Sequence, residues 1–300
     1  MFKLKNQFPK FKRVCRTFST SRPLLLNTEE LGKFANDQTK APTIFLHGLL
    51  GNKNNFKASV KAVEDIRAII VDLANHGHSP HYDQANISSM ASDVLYTIRE
   101  KHKADTVHLL GHSLGGKVSM QLALANQQFV ESICIVDIVP APYHDFAKNS
   151  ESAGVIHAMT NLDLSNIKDR KDAFTKLQVE DVNLRTFALT NLERDSSTKE
   201  WSWRCNLSGL KQNLSTLATH EFDGKYDGPS MLITGSKSNF VKQEHMKLFY
   251  ELFPKLVVRE VDGAGHWVHG DAPNTFHEII GDWFDNPFET REQSLIIKQS

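Results

Sequence analysis

Three cysteines in 300 residues, Cys15, Cys134 and Cys205, show no paired spacing. That excludes a disulfide-built scaffold and a cysteine zinc site, and it suits a reducing compartment. Long apolar runs are missing too, since no stretch approaches the roughly 20 residues a membrane helix needs. Internal repeats and low-complexity tracts are absent. Net charge is also lacking, because 35 basic residues balance 35 acidic ones in a chain that is 40 % hydrophobic and 23 % charged. Such a composition is ordinary for a soluble chain of one large domain, or of a core domain carrying an inserted subdomain.

The neutrality hides an asymmetry. No acidic residue precedes Glu29, whereas residues 1–18 hold Lys3, Lys5, Lys10, Lys12, Arg13 and Arg16. Taking those 6 from the 35 basic residues leaves 29 against 35 acidic ones, a net-acidic body that argues against a nucleic-acid surface. A basic, hydroxylated, acid-free leader has the composition of a mitochondrial transit peptide, with import machinery as its partner and a processing point near Phe18 to Thr20. The same composition also fits a disordered basic arm or a nucleic-acid tail. A secretory signal fits poorly, because no uninterrupted apolar core follows the charges.

From residue 43 onward, apolar strands alternate with helical stretches. TIFLHG, AIIVDL, VHLLGH and SICIVDI read as strands, and ISSMASDVLYTIREKH and GGKVSMQLALAN as helices. Continuous apolar strands each followed by a helix predict an α/β fold with a mostly parallel sheet covered on both faces. The rhythm breaks over residues 143–226, where charge-rich segments such as SNIKDRKDAFTKL and NLRTFALTNLERD read as an inserted helical cap without clear strands. It resumes with SMLITG and ends at NTFHEIIGDWF. The expected division is a leader at 1–18, a core at 24–142 and 227–290, and a cap at 143–226.

One junction carries chemistry. In VHLLGHSLGGK, Gly111 and Gly115 flank Ser113 at the spacing of a nucleophile elbow, a strained strand-to-helix turn that lifts a serine hydroxyl above the sheet. A serine alone is a weak nucleophile and requires a base, an acid that orients the base, and donors for the developing oxyanion. In chains built on this elbow the acid and then the base follow the serine. The base candidate is His266 in VDGAGHWVHG, with His269 second. The acid is less usual, because the loop after MLITG reads SKSNFV and holds no carboxylate, only the uncharged Ser238 and Asn239. Asp137, at the carboxyl end of the preceding strand, is the candidate, with Asp262 and Asp271 as alternatives. The backbone amides of Leu114 and of Leu49, in FLHGLLGNKNNF, are the expected oxyanion donors.

Other suggestive residues receive plainer readings. His76, His78 and His81 lack further ligands to complete a metal site, so the segment reads as a turn fixed by Asp72 and Gly77. His47 reads as a structural hydrogen-bonder. GNKNNF lacks the Gly-Lys-Ser/Thr ending of a phosphate loop, and Lys117 reads as a helix-surface residue.

With the elbow, HGLLGNKNNF, ANHGHS, IVDIVPAPY and GAGHW in order, residues 42–285 resemble the α/β-hydrolase superfamily. Within it they resemble the mitochondrial abhydrolase branch that includes fungal ethanol acetyltransferases and related esterases. That branch takes its acid from the strand before the cap, as at Asp137. The resemblance implies an acyl-Ser113 intermediate formed from acetyl-CoA or an ester, no bound cofactor, and an alcohol or water as acceptor. Alcohol acetyltransfer, esterase and thioesterase activity are the enzymatic expectations. A hydrolase-fold protein acting by binding a mitochondrial partner is the alternative from another class, although such a protein has no need of a serine on a strained turn.

Overall fold

The computed structural model describes residues 22–63, 65–146 and 150–285. The leader assigned to residues 1–18 and the end of the core beyond Asp285 lie outside them. Seven strands form one sheet: β1 (Thr28–Leu31), β2 (Thr43–Leu46), β3 (Ala68–Val71), β4 (Val107–His112), β5 (Val130–Val136), β8 (Ser230–Gly235) and β9 (Leu256–Val261). Their spatial order is β1-β3-β2-β4-β5-β8-β9, and every pairing is parallel except β1 with β3. β1 was not legible in the sequence. It is a short edge strand whose residues are only half-buried, so TEEL lacks an apolar signature.

Strand periodicity of two sorts the core into layers. On one face Ile44, Leu46, Ile69, Leu109, Ile133 and Leu232 pack with Met90, Val94 and Ile98 of α2 (Ile87–His102) and Val118 of α3 (Leu114–Ala125). On the other face Phe45, Ile70, Leu110, Cys134 and Ile233 meet Phe56 and the closing helix Pro273–Asp285 through Phe276, Ile280 and Trp283. Both faces of β2, β3 and β8 are fully buried, which is why those segments read as unbroken apolar runs. Each such Leu, Ile or Phe contributes roughly 1.5–3 kcal/mol by leaving water.

Between β5 and β8 the chain builds a third, separate apolar cluster. It joins Val155, Ile156 and Met159 of α4 (Glu151–Asn161), Ala173 of α5 (Arg170–Lys176), Ala188 of α6 (Val182–Leu189), and Leu210 and Leu214 of α7 (Leu207–Ala218). Leu50 of the loop after β2 belongs to the same cluster, so the insert sits on that loop. Each of these helices begins at a polar cap: Ser150, Asp169, Asp181 and Asn206 accept from backbone amides of the first turn.

The insert is not wholly helical. Leu192–Arg194 (β6) and Trp201–Trp203 (β7) pair antiparallel, so the helix expected through NLRTFALTNLERD stops at Leu189. Two features end it. Asn191 is fully buried and turns its side-chain amide to the Leu50 carbonyl at 2.7 Å. Asp195 then closes the hairpin by accepting from the Ser197 and Thr198 amides.

Buried imidazoles make the fold acid-sensitive. Burial lowers the pKa of His47, pulls that of His76 to about 3 and holds that of His112 well below the usual range. A base whose folded pKa is depressed contributes fully above its unfolded pKa of about 6.5, and that contribution is lost as pH falls toward the folded value. For His76, lowering pH from 7 to 5 removes about 2 kcal/mol of stability. Asp93, pushed up to about 6 by burial, runs the other way and offsets roughly 1 kcal/mol. Thermal unfolding is therefore expected at a lower temperature at pH 5 than at pH 7. A midpoint that is unchanged or higher at pH 5 contradicts the neutral assignment.

Candidate active site

The elbow is built as its glycines require. Ser113 has φ +52° and ψ −115°, between the end of β4 and the first turn of α3. A side chain at Gly115 would put its first carbon 2.1 Å from the Leu46 carbonyl oxygen of β2, and one at Gly111 would lie 2.3 Å from the Gly115 oxygen. Helix and strands therefore approach more closely than any other residue allows, and the serine is held up at the carboxyl edge of the sheet. Its amide donates to the Val136 carbonyl at 3.0 Å, which ties the elbow to the end of β5.

One residue beyond Val136, the chain takes a second left-handed step. Asp137 has φ +49°, is fully buried, and donates its amide to Ile233 of β8 at 2.8 Å. Its carboxylate accepts four hydrogen bonds. Thr234 Oγ1 and the Gly235 amide meet Oδ1 at 2.8 and 3.3 Å, and Ser238 Oγ and His266 Nδ1 meet Oδ2 at 2.5 and 2.7 Å. A carboxylate offers no proton, so His266 carries its own on Nδ1 and presents the lone pair of Nε2 on the opposite side of the ring.

His112, next to Ser113, donates from Nε2 to the His266 carbonyl at 2.9 Å, and the two rings lie 4.8 Å apart. The loop after β9 is thereby fastened beside the elbow. Phe240 stacks on the other side of His266, with centroids 3.8 Å apart and planes inclined by 18°. Trp267 packs on Phe187 of α6, a contact between the His266 loop and the insert. Among the described residues the Ser113 hydroxyl itself has no hydrogen-bond partner.

The amides of Leu49 and Leu114 likewise have no acceptor among the described residues. The next two amides of that loop are engaged: Leu50, at φ +60°, donates to His76 Nε2 at 3.2 Å, and Gly51 donates to the Gly48 carbonyl at 2.9 Å. Leu49 and Leu114 both line a pocket of about 380 Å³, measured out to its open mouth, whose walls include Ser113, Ile138, Tyr143, Phe146, Leu214 and Leu217. Apart from Ser113, Lys117 and the Tyr143 hydroxyl its lining is apolar.

The other expected residues fall elsewhere. His269 packs against Phe56, His112 and Phe276 and does not reach Asp137. Asp262 accepts from Ser236 Oγ, and Asp271 holds the Gly265 amide at 2.8 Å, bracing the His266 loop. His47 bridges the Gly48 carbonyl and the Leu73 amide. Asp72 gathers the amides of Lys53 and His78, and Gly77 takes the left-handed turn above it. Among the described residues no group of three or more His, Cys, Asp or Glu is placed to hold a metal ion.

Lys117 corrects the sequence reading. It is 4 % exposed, not on the helix surface, and its ammonium donates to the carbonyls of Ala141 at 3.2 Å and Ala218 at 2.7 Å. Burial with no carboxylate partner pulls its pKa down to about 8. Its helix looks outward onto the neck of the insert, and no local pattern announces that neck. The sequence reading does not single out Thr234 or Phe240, and it sets Ser238 aside as uncharged although its hydroxyl donates to Asp137. The one available signal was negative, a loop with no carboxylate where one is expected.

Residues 42–273 match the family profile of the alpha/beta hydrolase fold. The chain belongs to that family. It is 34 % identical over 269 residues to the sn-1-specific diacylglycerol lipase ABHD11 of Mus musculus, covering 86 % of this chain and 85 % of the relative. It is 29 % identical to a probable alcohol acetyltransferase of Saccharomyces cerevisiae, over 82 % of this chain and 78 % of that one. A marine microorganism esterase of known structure superposes with a TM-score of 0.80 at 28 % identity, covering 86 % of this chain and 99 % of the esterase. The protein is an enzyme of the α/β-hydrolase class. Among the described residues no helix is long and apolar enough to cross a membrane.

Proposed function

We propose that this enzyme transfers acyl groups through Ser113, and that its reaction is alcohol O-acetylation, forming acetate esters from acetyl-CoA with esterase and thioesterase activity beside it. The carrying observation is Ser113, on its left-handed turn, at the wall of an apolar pocket beside the Asp137–His266 pair. In this reading His266 Nε2 takes the Ser113 proton as Oγ attacks the thioester carbonyl. The oxyanion meets the amides of Leu49 and Leu114, each such donor being worth about 2.7–4 kcal/mol in the transition state. The C–S bond then breaks, and the CoA thiolate leaves with the proton from Nε2. An alcohol delivers its proton to Nε2, attacks the acyl carbon, and departs as the ester while Ser113 Oγ recovers the proton.

Hydrolysis differs only in the acceptor. An apolar lining disfavours water and favours a small alcohol, and the resemblance to the yeast relative supports the transferase reading. Similarity to the mouse lipase and the marine esterase supports ester hydrolysis as the second reading, with a carboxylic ester as donor. We further propose that the enzyme works in the mitochondrion, on the strength of the basic, acid-free residues 1–18.

Product partitioning tests the acceptor. Protein lacking residues 1–18 is given acetyl-CoA with and without ethanol, and ethyl acetate and free acetate are both followed. Ethyl acetate that disappears in Ser113→Ala is the expected result. Acetate alone makes the enzyme a thioesterase, and turnover surviving in Ser113→Ala overturns the serine mechanism. Separately, isolated mitochondria are expected to import the full chain and leave the chain lacking residues 1–18 outside; equal uptake of both overturns the localisation.

A further inference from the structure

The insert and the imidazole are joined by a continuous path of contacts. The insert's two ends meet on α3, where Lys117 holds the carbonyls of Ala141, leading in, and Ala218, the last residue of α7. The Ala218 carbonyl also accepts from the Tyr143 amide at 3.1 Å, and the Lys117 ammonium lies 5.3 Å from the centre of the Tyr143 ring. A cation at the carbonyl end of a helix is favoured by the helix dipole. The neck is thus fixed by one buried ammonium, whose described partners are these two carbonyls and the ring.

From the neck, Tyr143 reaches across to the loop after β8. Its hydroxyl donates to the Phe240 carbonyl at 2.8 Å, and the two rings meet edge-on at 5.9 Å. Burial raises the phenol's pKa, so the hydroxyl remains a donor throughout the neutral range. Phe240 in turn lies flat on His266. The Phe240 amide donates to Ser238 Oγ at 3.2 Å, and that hydroxyl donates to Asp137. A single short loop therefore touches both members of the His–Asp pair, and Tyr143 is its tie to the insert.

We propose that Tyr143 is a positioning residue: by holding the Phe240 carbonyl it keeps the Phe240 ring against His266, so that seating the insert over the Ser113 pocket and aligning the imidazole are one event. This rests on the reading of Ser113, His266 and Asp137 as the acyl-transfer residues. The loop that lacks the usual carboxylate thereby orients the base by a ring and a hydroxyl. Enclosure of the substrate and readiness of the base are coupled without a second conformational step.

The test uses Tyr143→Phe, which removes one oxygen and leaves the pocket wall in place. Two readouts are compared with wild type: turnover of a short p-nitrophenyl ester, and the downfield proton resonance of His266 Nδ1–H. The expected result is a fall in kcat of about 10–100-fold with KM within about twofold, and a broadened or lost resonance, with the unfolding temperature lowered by no more than a few degrees. Phe240→Ala is expected to reproduce the loss, and Phe240→Tyr, which keeps a ring on the imidazole, to retain the resonance. A Tyr143→Phe protein with wild-type kcat and an intact resonance overturns the proposal. So does a loss of kcat with the resonance intact. Failure of the underlying reading is separately visible as turnover that survives in Ser113→Ala, because the resonance is read without turnover.

Discussion

The buried carboxylate of Asp137 is the constraint around which the site is arranged. A carboxylate removed from water costs several kcal/mol unless donors replace its hydration. Here four donors do so, from Thr234, the Gly235 amide, Ser238 and His266. Three of them come from β8 and the loop that follows it, and the fourth from the loop after β9. Parallel pairing of β5 with β8 and of β8 with β9 brings those carboxyl ends to one edge of the sheet. Asp137 and Ser113 both adopt left-handed backbone at adjacent strand ends, linked by the Ser113 amide on the Val136 carbonyl. Such strain persists only where surrounding contacts over-determine it; the close helix–strand approach at Gly111 and Gly115 does so for Ser113, and the four hydrogen bonds to its carboxylate do so for Asp137.

What lies above the sheet follows from the same edge. The loop after β2 carries Leu49 and Leu50, one leaving its amide free near the serine and the other inserting its side chain into the insert's own core. The insert therefore cannot be repositioned without disturbing a free amide beside Ser113. Its neck is pinned by Lys117 and its helix α6 touches Trp267, the residue after His266. Pocket, imidazole and free amides are parts of one packed unit, which suits the proposed acyl transfer, where water must be kept from the intermediate.

The sequence made the local features readable and the long-range ones obscure. Ser113 stood out because an elbow is a contiguous motif with a steric reason for each glycine. His266 followed from chain order. Asp137 was reached as a candidate by subtraction, since the loop after MLITG holds no carboxylate, and the fold brings it to His266. Lys117 was not legible: the carbonyls that bury it belong to Ala141 and Ala218, and no periodicity records a contact of that kind. The Phe240 side chain has no polar atom to mark it and gains meaning only through the ring it covers. The β6–β7 hairpin was hidden for a related reason, because pairing across a turn overrode a helix-like local composition.

The assignment of Asp137 as the acid is tested most directly by turnover of Asp137→Asn. An asparagine keeps the size of the side chain but removes the charge that holds Nδ1–H and stabilises the imidazolium. By analogy with the worked serine triad, kcat is expected to fall by about ten-thousand-fold while the protein stays folded. A folded Asp137→Asn protein that turns over substrate near the wild-type rate would contradict the account and move the acid to another carboxylate.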